Sequence, residues 1–96
     1  GVLTAGLTEA RQGFPSLPNV APEIAEVEAK LSAQRTLLNQ DFTRNTFAKA
    51  IRTANAPVVH LATHGQFSSN FDETFILTWN DRLSVHQLRD LLLTTC

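Results

Sequence analysis

Residues 57–65 read Pro57-Val-Val-His-Leu-Ala-Thr-His-Gly65, a short apolar run that stops on a His-Gly pair. A run of this length, rich in β-branched residues and closed by a polar turn, reads as a buried strand. In open α/β sheets, functional side chains gather just past the carboxyl ends of the strands. His64 stands at that place, and Gly65 permits a sharp turn and a close backbone approach to a ligand. The pair is the chain's best candidate for chemistry, although no evident nucleophile or metal partner accompanies it.

The segments on either side alternate in type. Upstream, residues 43–54 place Phe47, Ala50 and Ile51 on one helical face behind a Thr43 N-cap, and Asn55-Ala-Pro57 breaks that helix. Residues 35–39 are short and apolar in the middle, which predicts a strand. Residues 23–33 carry Ile24, Val27 and Leu31 at helical spacing, with Glu23 and Glu26 early and Lys30 late, in the order that suits the helix dipole. Pro22 fits the first turn of that helix. Before it, Gly13, Pro15 and Pro18 predict an irregular loop, because each proline restricts φ and lacks an amide donor. Residues 2–7 give a weak first strand.

Downstream, residues 66–72 form a polar loop without periodicity, and residues 75–79 read as a strand ended by the Asn80-Asp81 turn pair. Ser84-Val-His-Gln87 matches a capping box, opening a helix with Val85, Leu88, Leu91 and Leu92 on its apolar face. Strands alternating with helices predict an α/β fold with a mostly parallel sheet covered on both faces. The pattern stops on a helix, at Leu91-Leu-Leu-Thr-Thr-Cys96, so a further sheet strand is expected beyond it. The chain contains no Met, which adds to the expectation of an excised piece of a longer protein.

Ninety-six residues allow one domain, spanning 1–96. With 43% hydrophobic and 18% charged residues the composition is that of an ordinary globular chain, and a net charge of −1 gives no footprint for nucleic acid or an anionic membrane. No apolar stretch approaches the roughly 20 residues a membrane span requires. The opening residues lack the pattern of a secretion signal. A single cysteine, Cys96, excludes an internal disulfide and fits a reducing, cytoplasmic setting.

His60 and His64 fall on the same strand face, but roughly 13 Å apart at extended rise, too far to share one metal ion. His60 therefore reads as a satisfied core histidine. For His64 two readings stand side by side: a strand-end residue bonded to a loop carbonyl, or a general base whose pKa lies near working pH. His86, in the first turn of a capped helix, reads as exposed. Cys96 is the only thiol, and a Cys-His dyad would need it beside His64. Ser68 and Ser69 lack the surroundings of a nucleophile elbow, and Asp72 and Glu73 read as a solvated loop face.

At Val58-Val-His-Leu-Ala-Thr-His-Gly65 the chain resembles the CHAT domain, a branch of the caspase-like cysteine peptidases. The first strand, the proline-rich loop, Glu23-Ile-Ala-Glu-Val-Glu28, Leu37-Leu38 and the helix bearing Phe47 and Ile51 are similar to the family's first half. Phe75-Ile-Leu-Thr-Trp79 and Arg82-Leu-Ser-Val-His-Gln-Leu88 are similar to its next strand and capped helix. The resemblance implies a caspase-like three-layer sandwich with a mostly parallel central sheet and a Cys-His dyad. His64 matches the catalytic histidine and the Gly65 amide an oxyanion-hole donor; His60 matches a frequent family residue, taken as structural.

The family's nucleophilic cysteine follows the next apolar strand in a Ser-Ala-Cys type turn, a position that Cys96 does not occupy. The expectation is thus the N-terminal portion of a cysteine endopeptidase domain, carrying half the dyad and inactive alone, its sheet truncated before the later strands. An unpaired sheet edge would then drive self-association. A non-catalytic regulatory or interaction domain of the same fold is the alternative. A receiver-type module ranks lower, since the first strand ends at Gly6-Leu7 without clustered acids. The implied partners are a protein or peptide substrate and a helical-repeat region of the same protein, with no cofactor, nucleic acid or membrane.

Overall fold

The strand that organises the molecule is β1 (Val2–Gly6), whose five residues are all buried. In the computed structural model, which describes residues 2–31, 33–54 and 58–93, it is the middle strand of a parallel sheet ordered β2-β1-β3. Leu3 and Ala5 point to one face and Gly6 to the other, as the two-residue period of a strand requires. Helix α1 (Val20–Leu31) follows β1 and leads into β2 (Ala33–Leu38). Helix α2 (Arg44–Ala54) then leads to β3 (Val58–Ala62) on the far side of β1. The parallel sheet and the helix between each pair of strands agree with the expectation from sequence.

Each face of the sheet has its own cover. On one, Phe47, Ala50 and Ile51 of α2 meet Leu3, Ala5, Leu7 and Leu37, with Phe42 fully buried among them. On the other, Val20 and Ile24 of α1 close over Ala62, with Leu17 and Leu38 alongside. Gly6 sits under α1, and a Cβ there would lie 2.6 Å from the Ala62 carbonyl oxygen and 3.1 Å from Val20 Cγ1. Only glycine allows β1, β3 and α1 to come this close.

The remaining strands form a second, antiparallel sheet ordered β4-β5-β6: β4 (Gly65–Gln66), β5 (Phe75–Leu77) and β6 (Arg82–Ser84). Helix α3 (Val85–Leu93) follows, its Leu88 and Leu91 packed against the α2 side of the core. The anticipated caps are present. Thr43 Oγ1 accepts from the Thr46 amide (3.1 Å) at the head of α2. At α3 the box is reciprocal: the Gln87 amide donates to Ser84 Oγ (3.1 Å) and the Ser84 amide to Gln87 Oε1 (2.9 Å).

The structure departs from the sequence reading in several places. The 57–65 stretch is not a fully buried strand: β3 pairs only with β1 among the described strands, Val58 is 52% exposed, and Ala62 alone is buried. The residues read as a strand at 75–79 shorten to β5 and leave the parallel sheet, because Gly65 and Gln66 turn back to pair with Ile76 and Phe75. Strand β6 has one apolar residue, Leu83, too few for an alternating pattern. Helix α1 starts earlier, at Val20, and tolerates Pro22 because amides in the first turn have no intrahelical partner. Leu31, expected on its apolar face, is 55% exposed. The 55–57 helix break, and Cys96 with the end of the tail, lie outside the described residues.

Candidate active site around His64

The chain moves from β1 to β2 on one side and then to β3 on the other, so its direction reverses between β1 and β3. Open α/β sheets bind ligands at such a switch point, in the crevice outside the carboxyl ends of the two strands. In this sheet that point lies between the loop after β1 and the residues after β3. Gly6 pairs with Ala62 at the top of the ladder, and the Leu7 amide donates to the Ala62 carbonyl (3.1 Å). His64 follows two residues later.

The backbone at His64 is held from the second sheet. The Leu77 amide donates to the His64 carbonyl (2.9 Å), and Thr63 Oγ1 donates to the Leu77 carbonyl (2.9 Å). The imidazole is held from the opposite side, by the loop after β1. Its Nε2 lies 2.8 Å from the Pro15 carbonyl oxygen, and its ring centroid lies 5.1 Å from that of Phe14. A carbonyl oxygen can only accept, so Nε2 carries the hydrogen. In the neutral ring this leaves the lone pair on Nδ1, which is the nitrogen able to take a proton.

The chain leaves β3 and turns into the antiparallel β4 at Gly65, without the left-handed backbone that glycine readily adopts. Among the described glycines only Gly13 has positive φ, and Gly65 belongs to β4. Two other constraints act there. A Cβ would lie 3.1 Å from both the Phe67 ring and the Phe75 carbonyl oxygen. In addition, Gly65 faces Ile76 while the flanking His64 carbonyl bonds Leu77. This makes Gly65 and Ile76 a non-hydrogen-bonded pair, whose N–H and C=O groups point away from the partner strand. The Gly65 N–H therefore faces off the ladder, one residue on from His64. Phe67, 80% exposed, stands against Gly65 at the rim.

The loop after β1 is tied by hydrogen bonds at its base and at its tip. Leu17 N donates to the Thr8 carbonyl (2.9 Å) at its base, where Thr8 also exchanges hydrogen bonds with the Asn39 side chain. At its tip Arg11 and Phe14 exchange two backbone hydrogen bonds across Gln12 (φ 52°) and Gly13 (φ 87°). Reading Gly13 and the prolines as a break in regular structure missed this turn. Two adjacent residues with positive φ are the mark of a tight hairpin turn, and Gln12 is not a residue that announces one.

The other expected residues divide clearly. His60 is not in the core; it is half-buried, and its Nε2 donates to Glu23 Oε1 of α1 (2.9 Å), a structural tie between helix and sheet. His86, in the first turn of α3, lies 3.5 Å from Asp72. Ser68 is spent on its own loop: its Oγ donates to Glu73 and accepts from the Asn70 amide. No group of three His, Cys, Asp or Glu side chains able to hold a metal occurs among the described residues. No helix among them is long and apolar enough to cross a membrane.

These features define a parallel α/β domain with a strand-end histidine clamped at the sheet's switch point. The chain belongs to the CHAT domain family, whose model matches residues 4–95. No curated protein and no solved structure matches it.

Proposed function

We propose that this chain is the histidine-bearing part of a caspase-like cysteine endopeptidase, with the three-layer sandwich of that fold completed by later strands. One observation carries the proposal: His64 stands at the switch point with Nε2 committed to the Pro15 carbonyl, leaving Nδ1 as a base. In this reading Nδ1 takes the proton of a cysteine thiol, which attacks the scissile carbonyl of a bound peptide. The imidazolium then returns the proton to the departing amine. The Gly65 N–H, turned off the β4–β5 ladder, donates to the oxygen on which negative charge develops. The thiol is not among the described residues. We place it on a strand added beside β3, which pairs only with β1 among the described strands.

A second reading has support from the same bond. A histidine already held by a loop carbonyl is what a non-catalytic domain of this fold would keep for structure alone. The two part on activity. The full-length protein carrying this chain is incubated with a peptide library, beside a His64→Ala variant. Cleavage that is blocked by a thiol-alkylating reagent and lost in His64→Ala supports the peptidase. Cleavage unaffected by the substitution, or no cleavage while His64→Ala lowers the melting temperature, leaves the regulatory domain.

A further inference from the structure

The loop that holds His64 is itself docked onto a distant part of the chain. Arg11 Nε donates to the Trp79 carbonyl (3.0 Å), and its guanidinium carbon lies 3.7 Å over the Trp79 ring. Gln12 Nε2 donates to two carbonyls, those of Thr78 (3.1 Å) and Asp81 (3.0 Å), so both amide hydrogens are used. These contacts join residues 66–69 positions apart in sequence, in the turn between β5 and β6.

That turn is anchored from beneath. The Trp79 amide donates to the Phe42 carbonyl (2.7 Å), and Arg44 Nη1 donates to Asp81 Oδ2 (2.9 Å). Arg44, together with the Arg82 amide on Oδ1, holds the Asp81 carboxyl below the usual aspartate range. Within the turn the Thr78 amide donates to the Asp81 carbonyl (3.0 Å). The 78–81 turn is thus a rigid platform, and Arg11 and Gln12 seat the tip of the β1 loop upon it.

We propose that Arg11 and Gln12 are positioning residues for His64. Seated on the platform, the 11–14 turn presents the Phe14 ring and the Pro15 carbonyl to the imidazole, and that carbonyl selects the Nε2–H tautomer. The backbone supports this assignment. Gln12 holds left-handed φ, which costs a residue with a Cβ, and such outliers persist only where surrounding contacts over-determine them. Gln12 is exposed. Its two side-chain bonds to the platform are what compensate that conformation.

The test is the tautomer of His64, read from nitrogen-15 correlation spectra of the imidazole in this chain. Gln12→Glu keeps the shape but sets carboxylate oxygens against two carbonyls, and Arg11→Lys keeps the cation while removing the Nε donor. Glu28→Gln, at an exposed position on α1, is the control. Loss of the single Nε2–H signature in Gln12→Glu and Arg11→Lys, with sheet amide signals unchanged and the control like wild type, is the expected result. Retention of that signature in both variants overturns the proposal. Should Gln12→Glu fail to fold, Arg11→Lys decides alone.

The catalytic meaning of this positioning rests on the peptidase reading. In the full-length protein Gln12→Glu is expected to lower kcat on the order of tenfold with KM unchanged, the pattern of a misoriented base. A His64→Ala variant that still cleaves normally would refute the peptidase reading, while the tautomer spectra would still decide the positioning.

Discussion

At Gly6 one methyl group would lie 2.6 Å from the Ala62 carbonyl oxygen, a backbone atom held by the sheet ladder. The strain cannot be relieved by a side-chain rotation, so β1 and β3 must part. Gly6→Ala is therefore expected to cost about 1–3 kcal/mol, the usual range for overpacking a dense core. Urea denaturation measures it, and an unchanged midpoint would mean that the strands have room the structure does not show. His64 was legible from its place at the end of a β-branched run before Gly65. The groups that hold it were not: Pro15 acts through its carbonyl, which every residue has, and Arg11 and Gln12 find their partners at Thr78, Trp79 and Asp81. Contacts over that separation leave no local pattern in a single sequence.

Among the elements, the helices were read best because their signals are local. Thr43 and the Ser84/Gln87 box close the amides of α2 and α3 as their spacing demands. Ser84→Ala is expected to lower stability by about 1 kcal/mol, typical of an N-cap loss. Thermal unfolding beside Ser69→Ala, an exposed loop position, measures it; equal melting temperatures would show that the box adds nothing. The strands were harder. The most buried one, β1, contains Thr4 and Gly6, and so carries a weak apolar signal. Thr4 is accommodated by donating to Thr36 Oγ1 (2.8 Å), a pairing invisible until β1 and β2 lie side by side. The strongly apolar β3 has only β1 beside it among the described strands. Residue type reports what a strand can bury, and only the sheet order decides what it does bury.

For the molecule as a whole, the Cα radius of gyration is 12.9 Å, against about 12.5 Å for a compact domain of this length. The alternation of elements was enough to foresee a parallel sheet, but not the order β2-β1-β3 or the separation of β4-β5-β6 into its own sheet. Both depend on which edge each crossover chooses. That β3 pairs only with β1 among the described strands has a consequence for association. Val58 is 52% exposed there, Val59 and Leu61 are half-buried, and unpaired backbone groups recruit further strands. The chain is expected to dimerise or assemble as its concentration rises in sedimentation velocity runs, and Val58→Lys to shift it toward monomer. A sharp monomer at every concentration would contradict this.

Trp79 is the chain's single tryptophan, and the Arg11 guanidinium lies over its indole. The contact puts an optical label on the platform under the tip of the β1 loop. Indole emission responds to the loss of a stacked cation and the arrival of water, so lifting of the β1 loop changes the fluorescence of the unmodified chain. Comparing the emission of Arg11→Lys with that of the unmodified chain would then report how firmly the loop sits on its platform, without a dye.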